Sequence, residues 1–282
     1  MTPKTRFKRV YVEITNYCNQ NCGFCPGTSR KKEFMDEALF LRILEEINGF
    51  TEHLYFHVMG EPFLHPKLPL FIDLAGENGF VVNLVTNGSM SDKLTEISGK
   101  KALRSVAFSV HGLANVRTGC IDDILAFIKN RRDIRIIYSL RVWGVSSAAS
   151  AVLNKIEDAY PGFMERRKKA ENVRGFKLEE NVYYNEAAEF LWPDLNGPEY
   201  GGRAFCLGLR DQAAILVDGT VVPCCLDSEG TVALGRIQEK SFKDIIESPR
   251  ARAIYDGFSW GEAAEELCKK CGFRLRFGEK KH

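Results

Sequence analysis

The stretch Cys18-Asn19-Gln20-Asn21-Cys22-Gly23-Phe24-Cys25-Pro26 sets three thiols at Cys-x3-Cys-x2-Cys spacing directly after an apolar run. Positions 18, 22 and 25 obey helical periodicity. Asn19, Asn21, Gly23 and Pro26 are turn formers, however, and they favour a loop. Zinc prefers four ligands in paired Cys-x2-Cys knuckles. An iron–sulfur cube suits three thiolates better. They can hold three corners of a [4Fe-4S] cluster and leave the fourth iron open to something other than protein.

Further cysteines follow at Cys206, Cys224, Cys225, Cys268 and Cys271. The Cys268-x2-Cys271 pair is a ligand spacing in its own right. Cys224 and Cys225 are neighbours on an expected hairpin strand and so point to opposite faces, which speaks against both binding one cluster. Cys225 could be a ligand in place of Cys224, a hydrogen donor, or inert. Structural zinc is the alternative use of this set. Cys120 begins an expected helix with no partner in sequence and reads as an ordinary small residue.

The elements that must position these groups alternate in type. Strand-like runs fall at 10–15, 53–58, 80–86, 105–110, 134–142 and 173–178, with amphipathic helical patterns at 36–48, 67–78, 92–98, 121–130 and 147–159. Such alternation predicts a parallel sheet with right-handed crossovers. About 170 residues are available, where a full eight-unit barrel needs about 250, so the expected fold is α/β, a partial (β/α)6 TIM-like barrel. Chemistry in such folds sits on loops after the strand C-termini. Unusual residues gather there: the cysteine loop, Met59-Gly60-Glu61-Pro62, Thr86-Asn87-Gly88 and Ser109-Val110-His111-Gly112. From about 200 the texture changes to a β-hairpin turning at Asp218-Gly219, then a helix near 242–247 continuing past Pro249. The expected division is 1–190 for the barrel and 191–282 for a small C-terminal β-hairpin/helix cluster-binding domain.

Composition excludes other classes. Net charge is only +2, so no global field points to nucleic acid or an acidic membrane. The run Arg166-Arg167-Lys168-Lys169 reads as a solvated helix face. Residues 1–10 lack an apolar signal segment, and no window reaches the ~18 apolar residues of a membrane span. Nine cysteines then imply a reducing, cytoplasmic setting and ligand roles rather than disulfides.

The Cys-x3-Cys-x-aromatic-Cys loop after the first strand resembles the signature of the radical S-adenosylmethionine (SAM) superfamily. In that family the open iron is chelated by the amino and carboxylate groups of SAM. One electron then splits the sulfonium to a 5′-deoxyadenosyl radical, which abstracts hydrogen from substrate. The resemblance implies Cys18, Cys22 and Cys25 as cluster ligands and Phe24 against the adenine. Gly60, Glu61 and Pro62 match the family's Gly-Gly-Glu-Pro loop for the methionine amino group, Met59 replacing its first Gly. Ser109 matches a polar residue near the ribose. His111 stands where the family has Asp, so no role passes to it. Asn87 and Arg141 are further pocket candidates.

The tail, Cys206 … Gly219-x4-Cys224 … Cys268-x2-Cys271, resembles the short "twitch" form of the SPASM appendage. That implies a second, auxiliary [4Fe-4S] cluster, fully protein-ligated and able to take one electron but not to chelate substrate. The implied function is a radical SAM oxidoreductase acting on a small molecule such as an aminocyclitol or sugar alcohol. Alternatives are a peptide- or protein-modifying maturase or, from another class, a non-catalytic iron–sulfur electron carrier or zinc-stabilised binding protein. An external flavodoxin-like or ferredoxin-like one-electron donor is implied. Residues 160–205 are expected on the substrate side, with Tyr183, Tyr184, Trp192, Asp194 and Arg203 as candidates. No catalytic base can be named.

Overall fold

The structure is a computed structural model that describes residues 6–115, 119–130, 135–144, 149–170, 175–201 and 204–277. In chain order the elements are β1 (Arg9–Val12), α1 (Glu37–Ile47), β2 (His53–Phe56), α2 (Leu68–Glu77), β3 (Val81–Thr86), β4 (Leu103–Ser109), α3 (Cys120–Lys129) and β5 (Ile137–Trp143). There follow α4 (Ala149–Ala159), α5 (Phe163–Lys169), β6 (Gly175–Glu179), β7 (Val182–Ala187), β8 (Gln212–Ile215), β9 (Thr220–Val222) and β10 (Gly235–Arg236). The last helices are α6 (Phe242–Ile246), α7 (Pro249–Trp260) and α8 (Glu266–Lys269). The chain divides into two compact units, one of Met1–Gly60, Glu77–Phe80 and Phe190–His282, the other of Glu61–Gly76 and Val81–Glu189.

In the first unit the strand order is β10-β9-β8-β1-β2. β1 runs parallel to both β2 and β8, and the β8–β9 hairpin is antiparallel. Val10, Val12, Leu54 and Phe56 are buried, as are Phe40, Ile43, Leu44 and Ile47 along one stripe of α1. Asp36 caps that helix, accepting from Leu39 N–H at 2.7 Å. On the other side of β1, Tyr11 joins an apolar cluster with Val58, Ala214, Leu216 and Val222. The hairpin turns at Gly219, whose φ of +85° favours glycine.

In the second unit the order is β3-β4-β5-β7-β6, with β3, β4, β5 and β7 mutually parallel. Strand alternation buries Val82, Leu84, Val106, Phe108 and Leu140 on one face. The opposite face is polar. Ser105 Oγ donates to Asn83 Oδ1 at 2.8 Å, and Ser139 Oγ donates to Asn185 Oδ1.

Three elements differ from the sequence expectation. Of the run expected at 173–178, positions 173–174 lie outside the described residues and the rest appears as β6, antiparallel to β7, while β7 takes the parallel place beside β5. Only Val182 and Tyr184 of β7 are buried, and the polar Asn185 and Glu186 beside them hide its strand periodicity. The segment near 92–98 is a 3-10 helix, Ser91–Ile97. The helix expected to run past Pro249 breaks into α6 and α7, because Ser248 caps a new helix with Pro249 at its first position. The helix start at 147–148 and the strand start at 134 lie outside the described residues.

Candidate active site

The first cysteine loop is closed by backbone bonds and by the side chain of Asn16. Met35 N–H donates to Ile14 O, Asn16 Nδ2 to Lys31 O, and Glu33 N–H to Asn16 Oδ1, each at 2.8 Å. These bonds zip 14–17 to 31–35 and leave the stretch between them as a loop carrying Cys18, Cys22 and Cys25. Within it Cys25 N–H donates to Cys22 O at 3.0 Å. Burial pushes the Cys22 thiol up, and the neighbouring Cys18 and Cys25 push it further. Such mutual repulsion is relieved by a shared cationic centre. Phe24 is half-buried on the same loop.

Beside it, Met59 Sδ lies 3.9 Å from Cys25 Sγ. Gly60 has φ of +81°, and a Cβ there would meet Thr15 O at 2.4 Å and Tyr17 O at 2.8 Å. Glycine is required because the strand end presses onto the backbone that leads into the cysteines.

In the second unit, Glu61 lies buried at the start of a 3-10 turn, Pro62–Leu64. Its Oε1 accepts from Phe63 N–H at 3.1 Å and Thr86 Oγ1 at 2.8 Å, and its Oε2 from Asn87 N–H at 2.6 Å. Burial pushes this carboxyl up to about 7 against those three donors. Glu61 therefore ties two strand-end motifs together. Asn87 turns its own Oδ1 to Ser89 N–H at 2.9 Å, an Asx turn. Ser109 and Arg141 are register partners on β4 and β5, and Arg141 pairs next with Asn185. His111 Nδ1 accepts from Trp143 N–H at 3.4 Å, and burial lowers its pKa.

The downstream cysteines converge in the first unit. Cys206, Cys224, Cys268 and Cys271 line one cavity, walled by Phe258, Leu267 and Phe273. Burial pushes Cys206 up to about 11, although Gly208 N–H donates to its sulfur at 3.4 Å. It also raises Cys224, Cys268 and Cys271, and the other thiols of the set push Cys224 and Cys268 higher. Cys225 faces away, packed on the Tyr11 cluster and hydrogen-bonded to Tyr11. Among the described residues no group of three or more His, Cys, Asp or Glu side chains is placed to hold a single metal ion. Four thiols lining one apolar cavity are a donor set that fits a fully protein-ligated iron–sulfur cluster.

The remaining candidates separate. Tyr183 sits on the polar face, in register with Ser139. Tyr184 is a core residue instead, edge-on to Phe163 at 4.8 Å and donating to Glu186 at 2.6 Å. Asp194 caps a turn at Asn196, and Trp192 lies against Phe190. Arg203 lies outside the described residues. Of the basic run, Arg167 is not a free solvated charge but grips Glu186 through two nitrogens at 2.6 and 2.9 Å. Sequence reasoning missed Glu13 and Arg30, which form an ion pair at 2.7 Å. The signal available was an acidic residue inside the apolar run that leads into Cys18.

The sequence matches the radical SAM superfamily over residues 12–145 and an iron–sulfur cluster-binding domain, SPASM, over residues 206–272. It is 22% identical over 276 residues to the S-adenosyl-L-methionine-dependent 2-deoxy-scyllo-inosamine dehydrogenase of Niallia circulans, covering 94% of this chain and 92% of that protein. Among solved structures it is similar to BtrN in complex with AdoMet and 2-DOIA, with TM-score 0.60 and 20% identity over 94% of this chain and 92% of that one. It is also similar to Streptococcus suis SuiB bound to the precursor peptide SuiA, with TM-score 0.59 and 13% identity over 95% and 71% of the two chains. These likenesses show the fold, an α/β partial barrel.

Proposed function

We propose, from the match of residues 12–145 to the radical SAM superfamily and of residues 206–272 to the SPASM iron–sulfur domain, that the chain is a radical SAM enzyme that oxidises a small polyhydroxylated molecule, an aminocyclitol or sugar alcohol, to its carbonyl form. When bound, SAM and its cluster would supply the one-electron chemistry that removes a hydrogen atom from the carbinol carbon, the remaining electron passing to the auxiliary cluster and the hydroxyl proton to solvent. Cys18, Cys22 and Cys25 hold the first cluster on the closed loop. Phe24 and Gly60 of the first unit, and Pro62, Asn87, Ser109 and Arg141 of the second, are the residues that would bind SAM, with Glu61 bracing its own loop against the end of β3. Cys206, Cys224, Cys268 and Cys271 hold the auxiliary cluster, in a domain spanning 191–282.

The observation that carries the reading is the four-thiol cavity. A cluster ligated on every iron has no site for substrate and serves electron transfer alone. The polar face built from Asn83, Ser105, Ser139, Tyr183 and Asn185 supports a hydroxylated substrate, since hydroxyls need partners when desolvated. A flavodoxin-like or ferredoxin-like donor and a cytoplasmic setting belong to the same reading. No helix among the described residues is long and apolar enough to cross a membrane.

The test is anaerobic turnover of the reconstituted protein with SAM, dithionite and a panel of carbon-deuterated aminocyclitols and polyols. The reading expects deuterium in 5′-deoxyadenosine together with a carbonyl product. Transfer of deuterium from a labelled peptide instead would favour the maturase reading, which the likeness to SuiB supports.

A further inference from the structure

One carboxylate joins three segments of the first unit. Glu13, just past β1, has no exposed side-chain surface. Its Oε1 accepts from Arg30 Nη2 at 2.7 Å and Met59 N–H at 3.1 Å. Its Oε2 accepts from the same Nη2 at 2.8 Å and Val217 N–H at 2.9 Å. Arg30 in turn donates through Nε to Ser228 O at 2.7 Å. Around it Thr28 Oγ1 donates to Ser228 O at 3.3 Å, and Ser29 N–H to Glu229 at 3.0 Å.

The attached segments all carry or touch cysteines. Arg30 lies five residues beyond Cys25 in sequence. Met59 meets the sulfur of Cys25. Val217 and Ser228 bracket Cys224, and Asp227 N–H donates to Cys224 O at 3.4 Å. An ion pair this buried is no economical source of stability, because an apolar pair of the same shape often does as well. What it supplies is direction: fixed donors from separate loops converge on two oxygens.

We propose that Glu13 and Arg30 are positioning residues, one buried ion pair that holds the loop of Cys18, Cys22 and Cys25 and the bend that carries Cys224 in a single frame. Electron transfer weakens steeply with distance, so this frame sets how well the two clusters communicate. The inference rests on the reading that both cysteine sets hold clusters.

The test compares full-length, reconstituted wild type with Glu13→Gln, Arg30→Lys and Arg30→Met. Hydrogen exchange at the Met59 and Val217 amides is expected to quicken together in Glu13→Gln, by about tenfold or more, since each loses a bond to a charged acceptor. Pulsed EPR of the two reduced clusters should give a narrow distance distribution in wild type and a broad one in Arg30→Met. Arg30→Lys keeps the charge but not the fork that spans Glu13 and Ser228, and should fall between. If Arg30→Met does not fold, Glu13→Gln and Arg30→Lys decide. Faster exchange at only one of the two amides, or an unchanged distribution in variants carrying both clusters, overturns the proposal alone. A wild type lacking the second cluster overturns the two-cluster reading and the proposal with it.

Discussion

Thr86 Oγ1 donates to Glu61 Oε1 at 2.8 Å inside the second unit, where Glu61 is 1% exposed. The carboxyl of an acidic loop residue is thus turned inward, to brace the end of β3. Its ligand-side contribution is the loop it holds rather than a charge presented to solvent.

That burial sets a pH dependence. Glu61 titrates near 7 in the folded protein against an ordinary 4.5, so between these values the folded state binds the extra proton. Stability from this group is therefore full below about pH 4.5 and falls as pH rises to about 7, by on the order of 3 kcal/mol. Urea unfolding at pH 5 and pH 8 checks this. Glu61→Gln should be less stable than wild type at pH 5, having lost an acceptor, and the gap should shrink or reverse at pH 8. A gap that widens with pH would reverse the sign of the argument.

Gly60 and Gly79 make a matched pair, with φ of +81° and +83°. A Cβ at Gly79 meets nothing within 4 Å, whereas one at Gly60 collides with Thr15 O and Tyr17 O. Gly79→Ala should cost about 1 kcal/mol from backbone strain alone. Gly60→Ala should cost more, and should also weaken SAM binding measured by calorimetry. Equal effects in the two variants would remove the close approach as the cause.

Adjacent thiols should behave differently. Cys224→Ser is expected to remove the auxiliary cluster and about half of the iron, because Cys224 shares the cavity of Cys206, Cys268 and Cys271. Cys225→Ser should retain both clusters, because its sulfur packs on the Tyr11 side. Iron and sulfide analysis after reconstitution distinguishes the two.

The sequence made the strand-end chemistry legible because its signals are local. Spacing names Cys18, Cys22 and Cys25, and hydrophobic periodicity marks α1 from its Asp36 cap through Ile47. The sequence placed Cys224 and Cys225 on a hairpin strand with alternating faces; β9 instead ends at Val222, and the two part in the bend beyond it, Cys224 towards the other thiols and Cys225 towards Tyr11. Contacts that depend on distant chain stayed hidden. Glu13 meets Val217 across more than two hundred residues, and β8 lies parallel to β1 rather than apart from it. Strand β7 escaped notice because its polar residues answer to partners on β5 rather than to a repeating pattern of its own.

The proposed oxidation depends on reductive cleavage of SAM at the three-cysteine loop. The most direct measurement is anaerobic: reconstitute the protein with iron and sulfide, add SAM and dithionite, and quantify 5′-deoxyadenosine by mass spectrometry. Wild type should accumulate it only in the complete mixture, and the triple variant Cys18→Ala, Cys22→Ala, Cys25→Ala should form none. Cleavage that survives in the triple variant, or none in a wild type with both clusters and the substrate panel present, would contradict the account.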